Sequence, residues 1–345
     1  MNLKNVSEVF ISEAFCAEEN KNIKKSIYTI LLDNNIPRDR NENIVLSAGF
    51  NPVYLTKYAK SQFEIKNNFI CKLIKDAIEK NADVIHIKNS NEKNYEVSTP
   101  YDGEVQYEGI KNLIFEMHAI IGIIGSFPIL YRDESNSAIR VVAPRRNSQN
   151  ETSSQSPFNP LDWHVDAAYR PMGKSEIMSP LPDYLVFGVV HKGHHNLPIM
   201  YISLDELLSQ LNAFDIAIGL LPEFAVSSPD SFANKIVSKN VPLLEKNSNG
   251  MFCSRITFQN AQPLTKRASD FLEKIKYIAN QKNIQRSIYV EAGDIVVLNN
   301  KTTLHKRNSY QPKWDGKDRY FIRTYSVKDL NQGIIAKNAK NWEWL

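Results

Sequence analysis

A histidine and an aspartate, His164 and Asp166, are separated by one residue in the segment WHVDAAYRP. Side chains alternate between the two faces of an extended chain, so an imidazole and a carboxylate at this spacing can converge on one point. Alone, such a pair is more often part of a solvated turn or of a local hydrogen bond than of a metal site. It needs a third partner before it indicates chemistry.

His305 is a candidate for that partner, because it follows a strand-and-turn pattern in GDIVVLNNKTTLH. Two histidines and one carboxylate on one face of an octahedral ion leave three positions open, which suits non-haem Fe(II) and its use of dioxygen. Arg319 and Arg323 follow in RYFIRT, on the same side of a strand and roughly 13 Å apart. A guanidinium binds a carboxylate in bidentate fashion, so one arginine could hold a carboxylate near the metal while the other reaches elsewhere in the pocket.

The other histidines are weaker candidates. His191, His194 and His195 in HKGHH could bind a metal of their own, but the glycine and the preceding strand favour an exposed turn. His86 is interpreted as structural or exposed, and His118 as a histidine within a helix.

The remaining chain predicts the elements that position these residues. Helical spacing is found around Ile23 to Leu31, along SQFEIKNNFICKLIKDAIEKNA, and in KNLIFEMHAIIGIIG, with a strand at DVIHIKN. From Ser137 onward short strands dominate, at SAIRVVAP, YLVFGVVHK, RSIYVEAGDIVVLNN and RYFIRTYSV. A helix is predicted at TKRASDFLEKIKYIANQ, and Ser203 with Glu206 predicts a capping box.

This order of elements predicts a mainly β fold with α-helices. We expect a double-stranded β-helix, or jelly roll, with a helical N-terminal layer in residues 1–135 and a catalytic core in residues 136–345. An insertion at about residues 206–285 is long enough to form a helical and loop lid. The parts are expected to form one folding unit. A doubly wound sheet is disfavoured, because strands and helices do not alternate and no glycine-rich phosphate loop follows a strand.

Composition excludes several function classes. The 42 Lys and Arg residues barely exceed the 38 Asp and Glu residues, and no basic stripe suggests nucleic-acid binding. Cys16, Cys71 and Cys253 are too few and too far apart for a disulfide framework or a zinc cluster. The N-terminus lacks a signal-peptide pattern, and the most apolar run, AIIGIIGSFPILY, is too short for a membrane span. A cytoplasmic protein that binds neither membrane nor nucleic acid is expected.

The His-x-Asp pair, the distal histidine and the downstream arginine resemble the Fe(II)/2-oxoglutarate-dependent oxygenases. Within them, the chain is similar to the clavaminate synthase-like group, which is related to taurine dioxygenase and includes free-amino-acid hydroxylases. DWHVDAAYRP followed by PDYLVFGVVHKG resembles the first metal motif and the strand after it. AGDIVVLNNKTTLHKRNSYQPKWDGKDRYFIRTYSVKDL resembles the C-terminal block over nearly its whole length. The resemblance covers roughly residues 137–330.

The resemblance implies a role for each of the five residues. His164, Asp166 and His305 would bind Fe(II) and form the catalytic centre, with 2-oxoglutarate as cosubstrate and O2 as oxidant. Arg319, which lies 14 residues after His305, would pair with the distal carboxylate of 2-oxoglutarate. Arg323 resembles the arginine that meets the substrate carboxylate. A surface ion pair is the alternative for Arg323.

The chain departs from the group at three places. Relatives often have a glutamine that binds the substrate amine where this chain has Arg140. Arginine hydroxylases carry an acid where this chain has Thr257, so an arginine substrate is disfavoured while Arg140 and Thr257 stay candidate substrate contacts. A threonine near 2-oxoglutarate is replaced by Pro198 and Ile199.

The resemblance predicts hydroxylation of an unactivated C–H bond of an amino acid or amino-acid-derived small molecule, with release of succinate and CO2. Desaturation and cyclisation are alternative outcomes. Halogenation is disfavoured because related halogenases lose the carboxylate that Asp166 supplies. A carrier-bound, peptide or protein substrate is the alternative to a free small molecule, and a non-catalytic binding protein with a jelly-roll fold is the least favoured reading.

Overall fold

The computed structural model describes residues 27–32, 50–89, 93–134, 137–148, 151, 153–229 and 235–345. The helices in these ranges are α1 (Pro52–Lys66), α2 (Asn68–Glu79), α3 (Lys111–Ile123), α4 (Leu204–Ser209), α5 (Ala213–Gly219) and α6 (Lys266–Ala279). The first nine strands are β1 (Ile27–Leu32), β2 (Val84–Asn89), β3 (Phe127–Tyr131), β4 (Arg140–Val142), β5 (Leu161–His164), β6 (Tyr184–His191), β7 (Ile199–Ser203), β8 (Phe224–Ser227) and β9 (Val237–Val241). The others are β10 (Leu244–Lys246), β11 (Phe252–Ser254), β12 (Ala261–Pro263), β13 (Arg286–Ile288), β14 (Ile295–Asn299), β15 (Thr303–Arg307), β16 (Tyr320–Val327) and β17 (Glu343–Trp344).

Two sheets dominate the described fold. The large sheet has the order β1-β2-β14-β6-β16-β3-β17. Its eighth strand, β4, also pairs with β16, next to β3. The small sheet has the order β13-β7-β15-β5 and is antiparallel throughout. Neighbours in both sheets are far apart in the chain, as expected for a jelly roll rather than for a series of hairpins.

Successive residues of the central strands are buried on opposite faces. Phe321 of β16 packs with Tyr201 of β7 in the core between the two sheets, whereas the adjacent Ile322 packs with the helices on the outer face of the large sheet. The same alternation separates Phe187 from Val186 in β6. A strand that is buried on both faces reads as a continuous apolar run, which explains the sequence YLVFGVV.

Both outer faces of the sandwich are covered. Helices α1, α2 and α3 pack on the large sheet, and α3 is buried along its whole length from Leu113 to Ile123. Residues of the segment predicted as an insertion, 206–285, pack on the outer face of the small sheet, where Phe224 and Phe271 are clustered with Ile202 and Leu304. Within the described ranges, no helix is both long and apolar enough to cross a membrane.

The structure corrects two predictions. The helix predicted around Ile23 to Leu31 is wrong for residues 27–32, which form β1 parallel to β2, while Ile23 lies outside the described residues. The short run IYTILL fits either type of element, and pairing with β2 decides the outcome. The capping box of Ser203 and Glu206 is also wrong: Ser203 precedes α4 but bonds Asp83, and Glu206 pairs with Arg286.

Other predictions agree with the structure. The strand at DVIHIKN is β2, the helix at KNLIFEMHAIIGIIG is α3, and the helix at TKRASDFLEKIKYIANQ is α6. Cys71 and Cys253 are buried free thiols, and Cys16 is outside the described part of the chain. His86 is structural, because its Nε2 lies 2.9 Å from the buried carboxylate of Asp294.

His118 is fully buried on α3, with Nδ1 2.8 Å from the hydroxyl of Thr56. Burial lowers the pKa of His118 to about 3. The unfolded chain therefore binds a proton below pH 6.5 that the folded chain does not bind, so the free energy of unfolding falls as pH decreases in this window.

We expect wild-type protein to lose roughly 1.5 kcal/mol of this free energy between pH 6.5 and pH 5 through His118 alone. His118→Asn, which keeps an acceptor near Thr56, should remove this part of the pH dependence. Chemical denaturation at both pH values measures it, and His195→Gln, which changes an exposed histidine, is the control. An unchanged slope in His118→Asn would contradict the assignment.

Candidate metal centre and substrate pocket

Pairing of β5 with β15 brings the two predicted histidines together. His305 is the register partner of His164, and their ring centroids are 4.3 Å apart. In each strand the preceding residue, Trp163 or Leu304, packs on the outer face of the small sheet. Alternation therefore directs both imidazoles toward the interior of the sandwich.

Asp166 follows β5 and completes the cluster. Its Oδ1 lies 3.2 Å from Nε2 of His164 and 3.6 Å from Nε2 of His305. One donor atom from each of these three side chains lies within 4.8 Å of the other two. Two imidazole nitrogens and a carboxylate oxygen that converge in this way fit a first-row divalent metal with open coordination positions.

Hydrogen bonds behind the cluster orient the ligands. His164 donates from Nδ1 to the carbonyl oxygen of Asp162 at 2.7 Å, which holds the ring with Nε2 toward Oδ1 of Asp166. The buried Asn300 accepts from the backbone N–H of Asp166 at 2.8 Å and donates to its carbonyl oxygen at 3.0 Å. Asn300 also donates to the carbonyl oxygen of Pro182.

Asn300→Ala should leave three buried backbone groups without these partners and should lower the free energy of unfolding by about 3 kcal/mol. Because the Asp166 loop loses its support, affinity for Fe(II) should also fall by roughly 10- to 100-fold. Asn299→Ala is the matched control, since the side chain of Asn299 accepts one local hydrogen bond among the described residues, from the N–H of Lys301. Denaturant titration and equilibrium metal binding measure the two effects, and equal effects from both variants would refute the role of Asn300.

The electrostatics favour the metal-binding protonation states of Asp166 and His305. Burial raises the pKa of Asp166, but Arg323 and then the hydrogen bonds with His164 and His305 outweigh it, so the pKa lies well below its usual value. Burial, followed by the neighbouring His164, lowers the pKa of His305. An ionised carboxylate and a neutral imidazole are the forms that coordinate metals.

A charged network extends from Asp166 to the far wall of the pocket. Arg323 donates from Nη1 to Oδ2 of Asp166 and from Nη2 to Oε1 of Glu134, both at 2.6 Å. The same Oε1 accepts from Arg140 at 2.5 Å and from the hydroxyl of Tyr325 at 3.2 Å. Burial raises the pKa of Glu134, but Arg323 and Arg140 outweigh it and the pKa is lowered, so Glu134 is ionised. Arg323 is 6% exposed, so the alternative of a surface ion pair is wrong.

Arg319 directly precedes β16 and lies on the same face of the chain as Arg323. It is 8% exposed, its guanidinium lies 4.0 Å from the centroid of the Phe321 ring, and Nε has no hydrogen-bond partner among the described residues. No carboxylate in the described ranges forms an ion pair with it. Burial lowers the pKa of Arg319 to about 10. A buried arginine without an anionic partner is a site for an anionic ligand.

One pocket contains most of the predicted contacts. Arg140, Thr257 and Arg323 line it together with His164 and Asp166. Thr257 is brought in by a β-bridge with His164. The rest of the described lining includes neutral polar residues: Ser153, Ser154, Ser227, Gln259 and Asn260. Ile199, one of the two residues predicted to replace a threonine of the relatives, is buried in the core between the sheets.

The three histidines of HKGHH do not converge on one point, although one donor atom each of His194, Asp315 and Asp318 lies within 4.8 Å of the other two. His194 and His195 are exposed in a turn, where they contact Asp315 and the carbonyl oxygen of Gln311, respectively. The half-buried His191 lies near Thr99 instead. The prediction of an exposed turn is confirmed for His194 and His195.

Sequence reasoning missed Glu134, Tyr325 and Asn300. Tyr325 had a usable signal, because it follows Arg323 by two residues and must share its face of β16. Glu134 lies in the loop after β3, where nothing in the local pattern distinguishes it from neighbouring polar residues. Arg170 holds this loop in place, because its Nη2 donates to both carboxylate oxygens of the adjacent Asp133, at 2.6 Å and 2.7 Å.

Comparison with known sequences identifies relatives that match only part of this chain. The model of the family described as taurine catabolism dioxygenase TauD, TfdA family matches residues 225–325, which contain His305, Arg319 and Arg323 but not His164 or Asp166. L-asparagine oxygenase of Streptomyces coelicolor is 25% identical over 124 residues, 35% of this chain and 36% of that protein. Clavaminate synthase 2 of Streptomyces clavuligerus is 44% identical over 39 residues, 11% of this chain and 12% of that protein.

Solved structures share the fold over most of the chain. An asparagine oxygenase solved with Fe(II), 2S,3S-3-hydroxyasparagine and succinate has a TM-score of 0.75 at 16% identity, covering 92% of this chain and 98% of that chain. The non-haem iron oxygenase OrfP, solved with Fe, succinate and (3R,4R)-dihydroxy-L-Arg, has a TM-score of 0.71 at 19% identity and covers 87% and 93%. These neighbours support the predicted mainly β jelly-roll fold, whereas the helical N-terminal layer and the lid stay predictions. The family match and the two sequence relatives bear out the resemblance to the oxygenases.

Proposed function

We propose, on the premise that this chain is a homologue of the clavaminate synthase-like Fe(II)/2-oxoglutarate oxygenases, that it is itself such an oxygenase. Its reaction is the hydroxylation of a C–H bond of an amino acid or amino-acid derivative, with release of succinate and CO2. The relatives in the comparisons include oxygenases solved with hydroxylated asparagine and arginine.

The observation that best supports this function is a three-ligand cluster in the same interior as a buried arginine that lacks an anionic partner. His164, Asp166 and His305 would hold Fe(II), and Arg319 would bind the distal carboxylate of 2-oxoglutarate. When bound, Fe(II) supplies open positions for the 2-oxo acid and for dioxygen and orients both.

The side chains of the pocket define what else binds there. Arg323 would contact the carboxylate of an amino-acid substrate through nitrogen atoms near Asp166 and Glu134. Oε2 of Glu134 accepts no hydrogen bond from any described residue, so this ionised oxygen would accept from the substrate ammonium group. Two contacts of opposite charge would orient the substrate and select which C–H bond faces the metal.

The insertion would act as one wall of this pocket and as its lid. Ser227, Pro229 and Asn260 line the pocket beside the metal ligands, whereas Phe224 and Phe271 of the same insertion anchor it to the small sheet. A segment anchored at one end and in contact with the pocket at the other could exclude water from the site.

The test is succinate release from purified protein given Fe(II), ascorbate, 2-oxoglutarate and O2, with and without a panel of free amino acids. We expect one amino acid, or a small group of them, to raise succinate release well above the background. Absence of succinate under every condition would overturn the assignment as an oxygenase. Stimulation only by peptides or carrier-bound amino acids would retain the chemistry but reject a free amino-acid substrate.

A further inference from the structure

Two arginines lie opposite each other on neighbouring strands in the wall of the substrate pocket. Arg140 of β4 is the register partner of Arg323 of β16, and both line the pocket. Like charges directly opposite each other on neighbouring strands are destabilising. The single oxygen Oε1 of Glu134 receives a hydrogen bond from each of them and offsets part of the repulsion.

The charges of the pocket do not balance when its proposed contents are added. Asp166 and the chelating carboxylate of 2-oxoglutarate neutralise Fe(II), and the distal carboxylate neutralises Arg319. Arg140 and Arg323 then face Glu134 alone, and the other described lining residues bring no further acid. The pocket keeps one positive charge more than it has negative charges. An amino acid with a neutral side chain carries no net charge and leaves this imbalance in place.

Arg140 has further N–H groups that could donate hydrogen bonds to a ligand. Among the described residues, only Glu134 accepts a hydrogen bond from this guanidinium, through Nη1, and the side chain is 20% exposed. The remaining N–H groups of the guanidinium form a fork that matches a carboxylate or another oxyanion. Such a bond to a charged group is roughly twice as strong as a neutral one.

We infer that the substrate carries an acidic group besides its α-carboxylate, and that Arg140 recognises this group. The inference rests on the proposed function and adds the substrate class to it. Arg323 then serves the α-carboxylate and Glu134 the ammonium group, while Arg140 holds the side-chain anion. Arg140 is thereby a residue that determines specificity.

Calorimetric titration of the anaerobic protein, saturated with Fe(II) and 2-oxoglutarate, tests the inference without turnover. The ligands are two matched pairs of similar shape that differ in charge: L-aspartate with L-asparagine, and L-glutamate with L-glutamine. We expect at least one acid to bind about tenfold or more tightly than its amide. Arg140→Gln should abolish this preference, and Arg140→Lys should retain part of it. Arg132→Gln removes the same charge from the surface pair with Glu343 and should have no effect.

Equal affinities for acid and amide in the wild type, or the same preference in Arg140→Gln, would overturn the inference. So would tight 2-oxoglutarate binding without binding of any of the four amino acids. In each of these cases the proposed oxygenase function would stand, because 2-oxoglutarate saturation is measured first and separately. Failure to bind 2-oxoglutarate would instead count against the proposed function.

Discussion

Asp166→Ala should lower substrate-stimulated succinate release by at least about a thousandfold, which corresponds to roughly 4 kcal/mol. The substitution removes one of three metal ligands and leaves Arg323, which now donates to Oδ2 of Asp166, beside the metal position. A second positive charge next to a divalent cation disfavours metal binding beyond the loss of the ligand itself. Asp166→Ala should therefore lose both succinate release and Fe(II) affinity, measured by a succinate assay and by equilibrium Fe(II) binding.

Asp162→Ala is the matched control for Asp166→Ala. Asp162 lies on β5, the strand that Asp166 follows, and its backbone carbonyl, which orients His164, is retained in the variant. We expect nearly normal turnover from this control. Full activity of Asp166→Ala would show that the cluster of His164, Asp166 and His305 is not the catalytic metal centre.

Arg319→Gln should raise the KM for 2-oxoglutarate by about a hundredfold, or roughly 2.8 kcal/mol. The variant loses a fork of charge-assisted hydrogen bonds to the distal carboxylate, each of which contributes about 1.5 to 3 kcal/mol. Arg319→Lys keeps the charge but loses the fork, so an intermediate KM is expected. Steady-state kinetics with varied 2-oxoglutarate measures both variants.

Thermal stability separates binding by Arg319 from a structural role. A buried guanidinium without an anionic partner costs free energy, so the ligand-free Arg319→Gln protein should melt at or above the wild-type temperature. The wild type should gain stability on addition of Fe(II) and 2-oxoglutarate, and the variant should gain much less at the same concentrations. A lower melting temperature of the ligand-free variant, with an unchanged KM, would point to a structural arginine.

The pair of His164 and Asp166 could be predicted as candidate ligands because its information is local to a short segment. Alternation in an extended strand fixes the sides to which His164 and Asp166 point, and the same rule places Arg319 and Arg323 on one face. The prediction that His305 joins His164 and Asp166 rests on the similarity of a long C-terminal block to known oxygenases. In the structure, pairing of β5 with β15 places His305 beside His164, although more than a hundred residues separate them in the chain.

The errors and omissions arise where tertiary contacts outweigh local preference. Residues 27–32 are a strand because β2 offers an edge to pair with, and periodicity in six residues cannot reveal that edge. Ser203 has the expected position at the start of α4, but Asp83 competes for its hydroxyl. Glu134 joins the pocket through arginines of β4 and β16, and no spacing along the chain reports that contact.

The predicted boundary between residues 1–135 and 136–345 stays a prediction. The large sheet contains β2 and β3 from the first part together with β6, β14 and β16 from the second. A sheet built from both parts favours the expectation of one folding unit, since separation would expose the edges of several buried strands. A single cooperative unfolding transition, observed by two independent probes, is the expected result.

The most direct test of the metal centre is anaerobic calorimetric titration of 2-oxoglutarate into purified protein, with and without Fe(II). Binding through both the metal and Arg319 predicts an affinity at least about a hundredfold higher with Fe(II) than without it, or roughly 2.8 kcal/mol, and loss of this gain in Asp166→Ala. An affinity that is the same with and without Fe(II), or the same in Asp166→Ala as in the wild type, would contradict the account.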